Sequence, residues 1–356
     1  MPTHWTPDFR IEADSVDVTA RLRDRLISLE ITDEAEDKSD RLALVLDDRP
    51  YPDGTVAALP AIATRLTVSI GYRETGLVRM GIYEVDDREL SAPPAVLDIG
   101  ATAAALAGPI RARRTRSWHR QTLGDIARTV AAGHELEARV DADLDALPIA
   151  HADQQAESDL AFLNRLARDH DAVARPLGDY LVLARRGNAS AVTGEPLAGT
   201  ALAPGDVDTW SYSHAARREK GSAEGSGGGV RAWWWDDEAG ERRSVDRGRE
   251  PFEDIATLHE SEAAARAAVA SQSNSAARSK SELSLSMAGR PEIQAEARLT
   301  LTGWRPGVPL RWRITRVNHR IGSDGYTTEI AAEEQPEQGN VAALVRSAPT
   351  GPADAL

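Results

Sequence analysis

Along the first hundred residues, apolar and polar positions alternate with a period of two. LISLEI (26–31) sets Leu29 and Ile31 on one side, and RLALVLDD (41–48) is a second apolar run. After the PYPDG turn cluster (50–54), RLTVSIGY (65–72) puts Leu66, Val68 and Ile70 on one face. LVRMGIYEVDD (77–87) then returns past a turn at 73–76. Such strands, joined by short turns without a helical period, predict an antiparallel barrel or sandwich. DIGATAAALAG (98–108) is small and apolar and fits a last strand or a short packed helix equally.

The period changes after Trp118. Thr122 with Asp125 three residues on makes a capping box, and Leu123, Ile126, Ala127 and Val130 form the stripe of a helix that Gly133 stops. Within His151–His170 the recurrence of Leu160, Leu163, Leu166 and Ala167 predicts a second helix. Glu157 and Asp159 stand early and Arg165 and Arg168 late, as the helix dipole favours. DAVARPLGDYLVLAR (171–185) predicts two short strands about a Pro-Leu-Gly-Asp turn, and GNASAVTGEP (187–196) a loop.

Near Pro204 the strand pattern resumes. SELSLSMAG (281–289), EIQAEARLTLTGW (292–304), LRWRITRVNH (310–319) and YTTEIAAEE (326–334) read as strands, with GSDG (322–325) as a tight turn. Residues 261–279 predict a helix with a small-residue face. The run at 221–229 is too glycine-rich to pack, and the polar tail from Gln335 reads as disordered. Trp233, Trp234 and Trp235 cannot all face one way in a strand, so at least one is predicted outward, against a partner or another domain.

The predicted fold is therefore mainly β with an α+β insert: two related antiparallel β-barrel domains flanking a small αβ module. The expected boundaries are 1–112 and 201–334 for the β domains, 113–200 for the module and 335–356 for a flexible tail. The relation between the β domains rests on an internal match. LTVSIGYRETGLVRMGIYEV (66–85) and LTLTGWRPGVPLRWRITRV (299–317) share a frame in which Leu66 matches Leu299, Arg79 Arg311, Ile82 Ile314 and Val85 Val317. Two similar domains per subunit make a trimer a six-unit ring, an adaptor between six-fold and three-fold partners.

Composition narrows the function. A net charge of −14 argues against a dedicated nucleic-acid binder. With no cysteine, the chain has no disulfide, thiolate catalysis or Cys-bound zinc, which fits folding in a reducing cytoplasm. No membrane-spanning run and no basic-then-apolar signal segment are present. The basic run RARRTRSWHR (111–120) reads either as a phosphate or acidic-partner contact or as a solvated linker.

Catalytic signatures are absent: no nucleophile elbow, no P-loop and no dinucleotide fingerprint. His134-Glu135 and His259-Glu260 each begin a zincin motif without its second histidine. No catalytic, cofactor-binding or metal residue is nominated.

One stretch carries a resemblance. SWHRQTLGDIARTVAAGHELEARV followed by HADQQAESDLAFLNRLARDHDAVARPLGDYLVLARRG resembles the late-control D proteins of contractile-tailed phages, the tail hub family, similar in turn to the hub part of type VI secretion VgrG spikes. Its Q-x-x-E-S-D-x-x-F-L-x-R-L-A pattern is carried by Gln154 or Gln155 (Gln155 being the position assigned), Glu157, Ser158, Asp159, Phe162 and Arg165, all in structural roles. WRITRVNHRIGSDGYTTEIAAEE is similar to the family's closing strand pair. The resemblance implies a non-enzymatic virion protein of the tail baseplate or a phage-like particle, made in the bacterial cytoplasm. It further implies a homotrimeric pseudo-six-fold ring that joins the tail tube and baseplate proteins to a separate trimeric spike, around a central channel; if a share of the chain's negative charge lines it, repulsion would keep DNA from sticking. The rival readings are a tail-tip cell-wall hydrolase or peptidase, and the hub of a tail-like bacteriocin or injection system.

Overall fold

The computed structural model describes residues 5–35, 39–51, 54–104, 110, 112–177, 180–186, 199–214, 228–278 and 281–335. The first β unit contains β1 (Pro7–Ala13), β2 (Val16–Asp17), the short α1 (Thr19–Arg23), β3 (Leu26–Glu34), β4 (Arg41–Asp47), β5 (Arg65–Tyr72), β6 (Gly76–Ser91) and β7 (Val96–Ala103). Each alternating run noted above is a strand here, and the 98–108 ambiguity resolves to a strand over its first six residues. Alternation places Leu42, Leu44 and Leu46 of β4 and Leu66, Val68 and Ile70 of β5 in one core with Ile11, Leu29, Ile31 and Leu97. Full burial of each such side chain is worth about 1.5–3 kcal/mol.

The αβ module follows with β8 (Arg113–Thr122), α2 (Leu123–Ala132), β9 (Glu137–Val140), α3 (Ala142–Asp145), β10 (Pro148–Ser158), α4 (Asp159–Arg168), β11 (Ala172–Leu177) and β12 (Tyr180–Arg185). Both halves of the Thr122–Asp125 capping box form, and the whole predicted stripe of α2 is buried. Gly124 lets α3 come close, since a Cβ there would sit 1.7 Å from Asp145 Oδ1.

Two predictions change in this module. The second helix begins only at Asp159, and His151–Ser158 belongs to β10, paired with β8. The stripe that marked the helix spans 160–167 alone, and nothing periodic in HADQQAES extends it backward. From Arg113 on, the basic run is the strand β8 and not a solvated linker. The Pro-Leu-Gly-Asp turn lies partly, and the 187–196 loop wholly, outside the described residues; so do most of 221–229 and all of the tail beyond Gln335.

The second β unit contains β13 (Thr200–Leu202), β14 (Thr209–His214), β18 (Ser281–Ala288), β19 (Arg298–Leu301), β20 (Arg311–Gly322) and β21 (Gly325–Glu334). Of the run predicted as a strand over 292–304, only β19 is extended. Inserted between β14 and β18 are β15 (Gly229–Asp236), β16 (Glu241–Arg247), β17 (Phe252–His259) and α5 (Glu262–Arg278). This insert has its own three-stranded sheet and a small core of Val230, Ala232, Ala265 and Val269. The region expected as a single domain thus holds two cores.

The two β units share one 13-stranded sheet, ordered β14-β18-β21-β20-β3-β4-β7-β6-β5-β1-β2, with β19 on β20 and β13 on β19. The seam is the antiparallel pair β3–β20, running from Ser28 opposite Gly322 to Glu34 opposite Arg316. The matched hairpins are both antiparallel but differ in register. Leu66 faces Tyr83, and the shared frame would set Leu299 opposite Thr315; Leu299 instead faces Trp312.

Candidate functional site

The motif residues gather where β8, β10 and α4 meet. β10 carries a bulge between Gln154 and Glu157, with Ala156 in the left-handed region at φ 49°. Alternation from the buried Ala152 turns Gln154 inward, fully buried, while Gln155, in the bulge, is exposed. Gln154 therefore takes the role that the sequence assigned to Gln155. Ser158 caps α4 by accepting from the Ala161 amide at 3.2 Å.

Asp159, at the first turn of α4, is 1% exposed. Its Oδ1 accepts from Arg116 Nη2 at 2.6 Å and Gln154 Nε2 at 2.8 Å, and its Oδ2 lies 2.8 Å from His134 Nε2 and 3.7 Å from Arg114 Nε. Arg116 Nε also donates to Gln154 Oε1 at 2.8 Å, so acid, amide and guanidinium close a cycle. Burial alone would raise the pKa of the Asp159 carboxyl. The hydrogen bonds from Gln154 and His134 and the charges of Arg116 and Arg114 outweigh it and hold the group below the usual carboxylate range.

Around this knot, Phe162 is fully buried and stacks on Trp118 with centroids 5.9 Å apart. Arg116 stands 4.4 Å over the Trp118 ring. Arg165 binds Glu157 at 2.6 Å and the Asp153 carbonyl at 2.7 Å, and lies 5.2 Å from the Phe162 ring centroid. Asp159 and Arg165 thus tie the helix to the bulged strand through Gln154 and Glu157, Phe162 packs it on β8, and Ser158 caps it. His151 stands apart on the exposed face of the ribbon, its Nδ1 2.9 Å from that of His119.

An acid–imidazole pair is also half of a nucleophilic triad. Here the other ring nitrogen of His134, Nδ1, is buried with no hydrogen-bond partner, and the carboxylate is closed to solvent. No hydroxyl is positioned on that nitrogen among the described residues, so the pair acts as a fastener.

A second polar cluster, unseen in the sequence, joins three units at Asp33. Arg175 of β11 lies 3.1 Å from Asp33 Oδ1 and 2.8 Å from Asp40 Oδ1, while Asp33 Oδ2 accepts from the Ala295 amide at 2.8 Å. The first β unit, the αβ module and the second β unit meet on one carboxylate. Burial and the neighbouring Asp33 charge push the Asp40 carboxyl up to about 6, against the pull of Arg175 and the Glu34 amide. Arg175 is held protonated by both acids despite its burial. A further bond across the seam runs from Tyr72 Oη to the Gly289 carbonyl at 2.9 Å.

In the insert, alternation along β15 sends Trp234 toward α5, and Trp233 and Trp235 to the opposite face. Among the described residues, no three His, Asp or Glu side chains are grouped to hold a metal.

Solved structures with this architecture include phage tail proteins and a type VI secretion component. The 43 kDa tail protein of prophage MuSo2 from Shewanella oneidensis superposes with a TM-score of 0.67 at 15% identity, over 92% of this chain and 98% of its own. The E. coli c3393 protein, a type VI secretion component, matches with a TM-score of 0.52 at 11% identity, over 93% of this chain and 77% of its own. The class is thus the phage-tail and VgrG-like fold. A family model described as phage tail baseplate hub (GPD) matches residues 53–325, and the chain belongs to that family. Among its relatives are the probable baseplate hub proteins of Escherichia phage 186, 28% identical over 93% of this chain and 94% of the relative, and of phage P2, 29% identical over 92% and 93%.

Proposed function

We propose that this baseplate hub protein assembles as a homotrimer in which the two β-barrel units of each subunit alternate round a pseudo-six-fold ring. The ring joins the tail tube to a trimeric spike, in the virion of a contractile phage or in a phage-like particle. The observation that carries this reading is the β3–β20 seam: it sets two β units side by side in one sheet, so three chains supply six. Three copies also bring three times the −14 charge to the assembly, and an acidic channel wall would repel passing DNA.

The role is structural. The buried acids and arginines described above bind one another across joints, and the free ring nitrogen of His134 in the buried acid–imidazole pair has no hydroxyl on it among the described residues. Light scattering on the purified chain, alone and with the spike protein encoded beside it, tests the assembly. A mass near three times 38.4 kDa, alone or on adding spike, is the expected result. A monomer indifferent to spike, tube and baseplate proteins would overturn it.

A further inference from the structure

The insert of the second β unit has one covered face and one open face. α5 packs on Val230, Ala232 and Trp234 through Ala265 and Val269. Arg231, Trp233 and Trp235 point the other way. Their cross-strand partners extend this open face: Asp246 beside Arg231, Ser244 and Leu258 beside Trp233, and Arg242 beside Trp235.

Cations and rings interleave across it. The Arg231 guanidinium lies 4.4 Å from the Phe252 ring centroid and 5.6 Å from that of Trp233, and Arg242 stands 4.1 Å from the Trp233 centroid on its own account. Trp235 is 44% and Leu258 53% exposed. Surfaces combining tryptophan, arginine and an apolar neighbour are the composition of interface centres, where a few such residues dominate binding.

Two donors here lack acceptors. Arg231 is held by Asp246 at 2.8 and 2.9 Å, but Arg242 has no carboxylate partner among the described residues. The indole N–H of Trp233, beneath Arg242, is buried without an acceptor. A single incoming carboxylate would pair Arg242, and an adjoining apolar side chain would cover Trp235 and Leu258.

We propose that this open face docks another protein of the same tail, one presenting a carboxylate beside an apolar side chain. The choice of a tail protein rests on the baseplate hub reading; the chemistry of the contact does not. A second copy is an occupant that the masses below would reveal. Nucleic acid is disfavoured. Arg231, Arg242, Arg243 and Arg247 are interleaved with Asp236, Glu241, Asp246 and Asp254, so no basic stripe forms.

The test uses the full chain as wild type, Trp235→Ala, Arg242→Glu and the milder Arg242→Gln. Each is titrated by interferometry with the purified spike, tube and other baseplate proteins of the same particle, one at a time. Melting curves and masses confirm that the variants stay folded. The expected result is one tail protein whose affinity falls about thirtyfold or more with Trp235→Ala and with Arg242→Glu. Arg242→Gln should weaken binding less, and a lysine in place of the partner's carboxylate should restore binding to Arg242→Glu. Equal binding of wild type and variants by every tail protein that binds would overturn the docking face and leave the hub reading standing. No binding of wild type by any of them would overturn both. A change in the chain's own oligomeric mass in the variants would name a second copy as the occupant and overturn the proposal as stated.

Discussion

The second β unit meets the first through seven consecutive residue pairs of backbone ladder, whereas the αβ module is fastened to it by one arginine between two aspartates. The ladder depends little on side-chain identity, is insensitive to pH and spreads its load over the whole length of β3. The ionic joint concentrates its load on three side chains, each less than about a quarter exposed. Removing charges from water there costs several kcal/mol, which geometry must offset. One chain thus carries a distributed joint that tolerates point changes and a concentrated one that does not.

That contrast can be broken most directly at the ladder. Val317 of β20 is fully buried and sits between Asp33 of β3 and Ile330 of β21. Val317→Pro removes a donor from the middle of the sheet. Hydrogen exchange should show protection lost on both flanking strands, whereas Val317→Ala should leave the seam intact at a cost in core packing alone.

At the ionic joint, Arg175→Ala leaves Asp33 and Asp40 facing each other without a cation. A loss of about 4 kcal/mol in urea denaturation is expected, the scale for breaking a buried pair. For the Asp159 knot, whose arginines are partly solvated, Asp159→Ala should cost less, about 2–3 kcal/mol, with a change in the near-ultraviolet signal of Trp118.

The next effect is pH dependence, and the two joints should differ in it. The Asp40 pKa is raised on folding from about 3.9 to about 6, so between those values the folded chain binds the extra proton. Its contribution to stability is then full below about pH 4 and lost as pH rises through about 6. Asp40→Asn should remove that slope from the stability profile, and protection factors along the ladder, corrected for the intrinsic pH dependence of exchange, should stay unchanged over the same range. The smallest expected effect is Ser158→Ala, about 1 kcal/mol from the lost cap of α4.

These differences also mark what was legible beforehand. The alternating strands of the first unit, the capped helix α2 and the dipole-matched charges of α4 follow from local pattern and appear as read. The seam was not legible, because β3 pairs with a strand nearly three hundred residues away and alternation names no partner. Within the motif, Ser158, Asp159 and Phe162 sit at the centre of the clamp, and the buried glutamine is Gln154, the one that the spacing Q-x-x-E before Glu157 selects, rather than the assigned Gln155. Arg116 was hidden in a basic run whose strand character shows only in pairing with β10, and His134 in a half-motif for zinc. Arg175 gave no signal, since an arginine before a predicted turn reads as solvated until the opposing acids are in place.

One small contact has a mechanical consequence. Ser271 of α5 donates to the Arg168 carbonyl at 2.6 Å, fastening the insert of the second β unit to the end of α4. Covalent connection and side contacts then run from the first β unit to the module, on to the second unit and its insert, and back to the module, while the seam closes the remaining side. A closed linkage of this kind has no free hinge: rotation at any joint must break another.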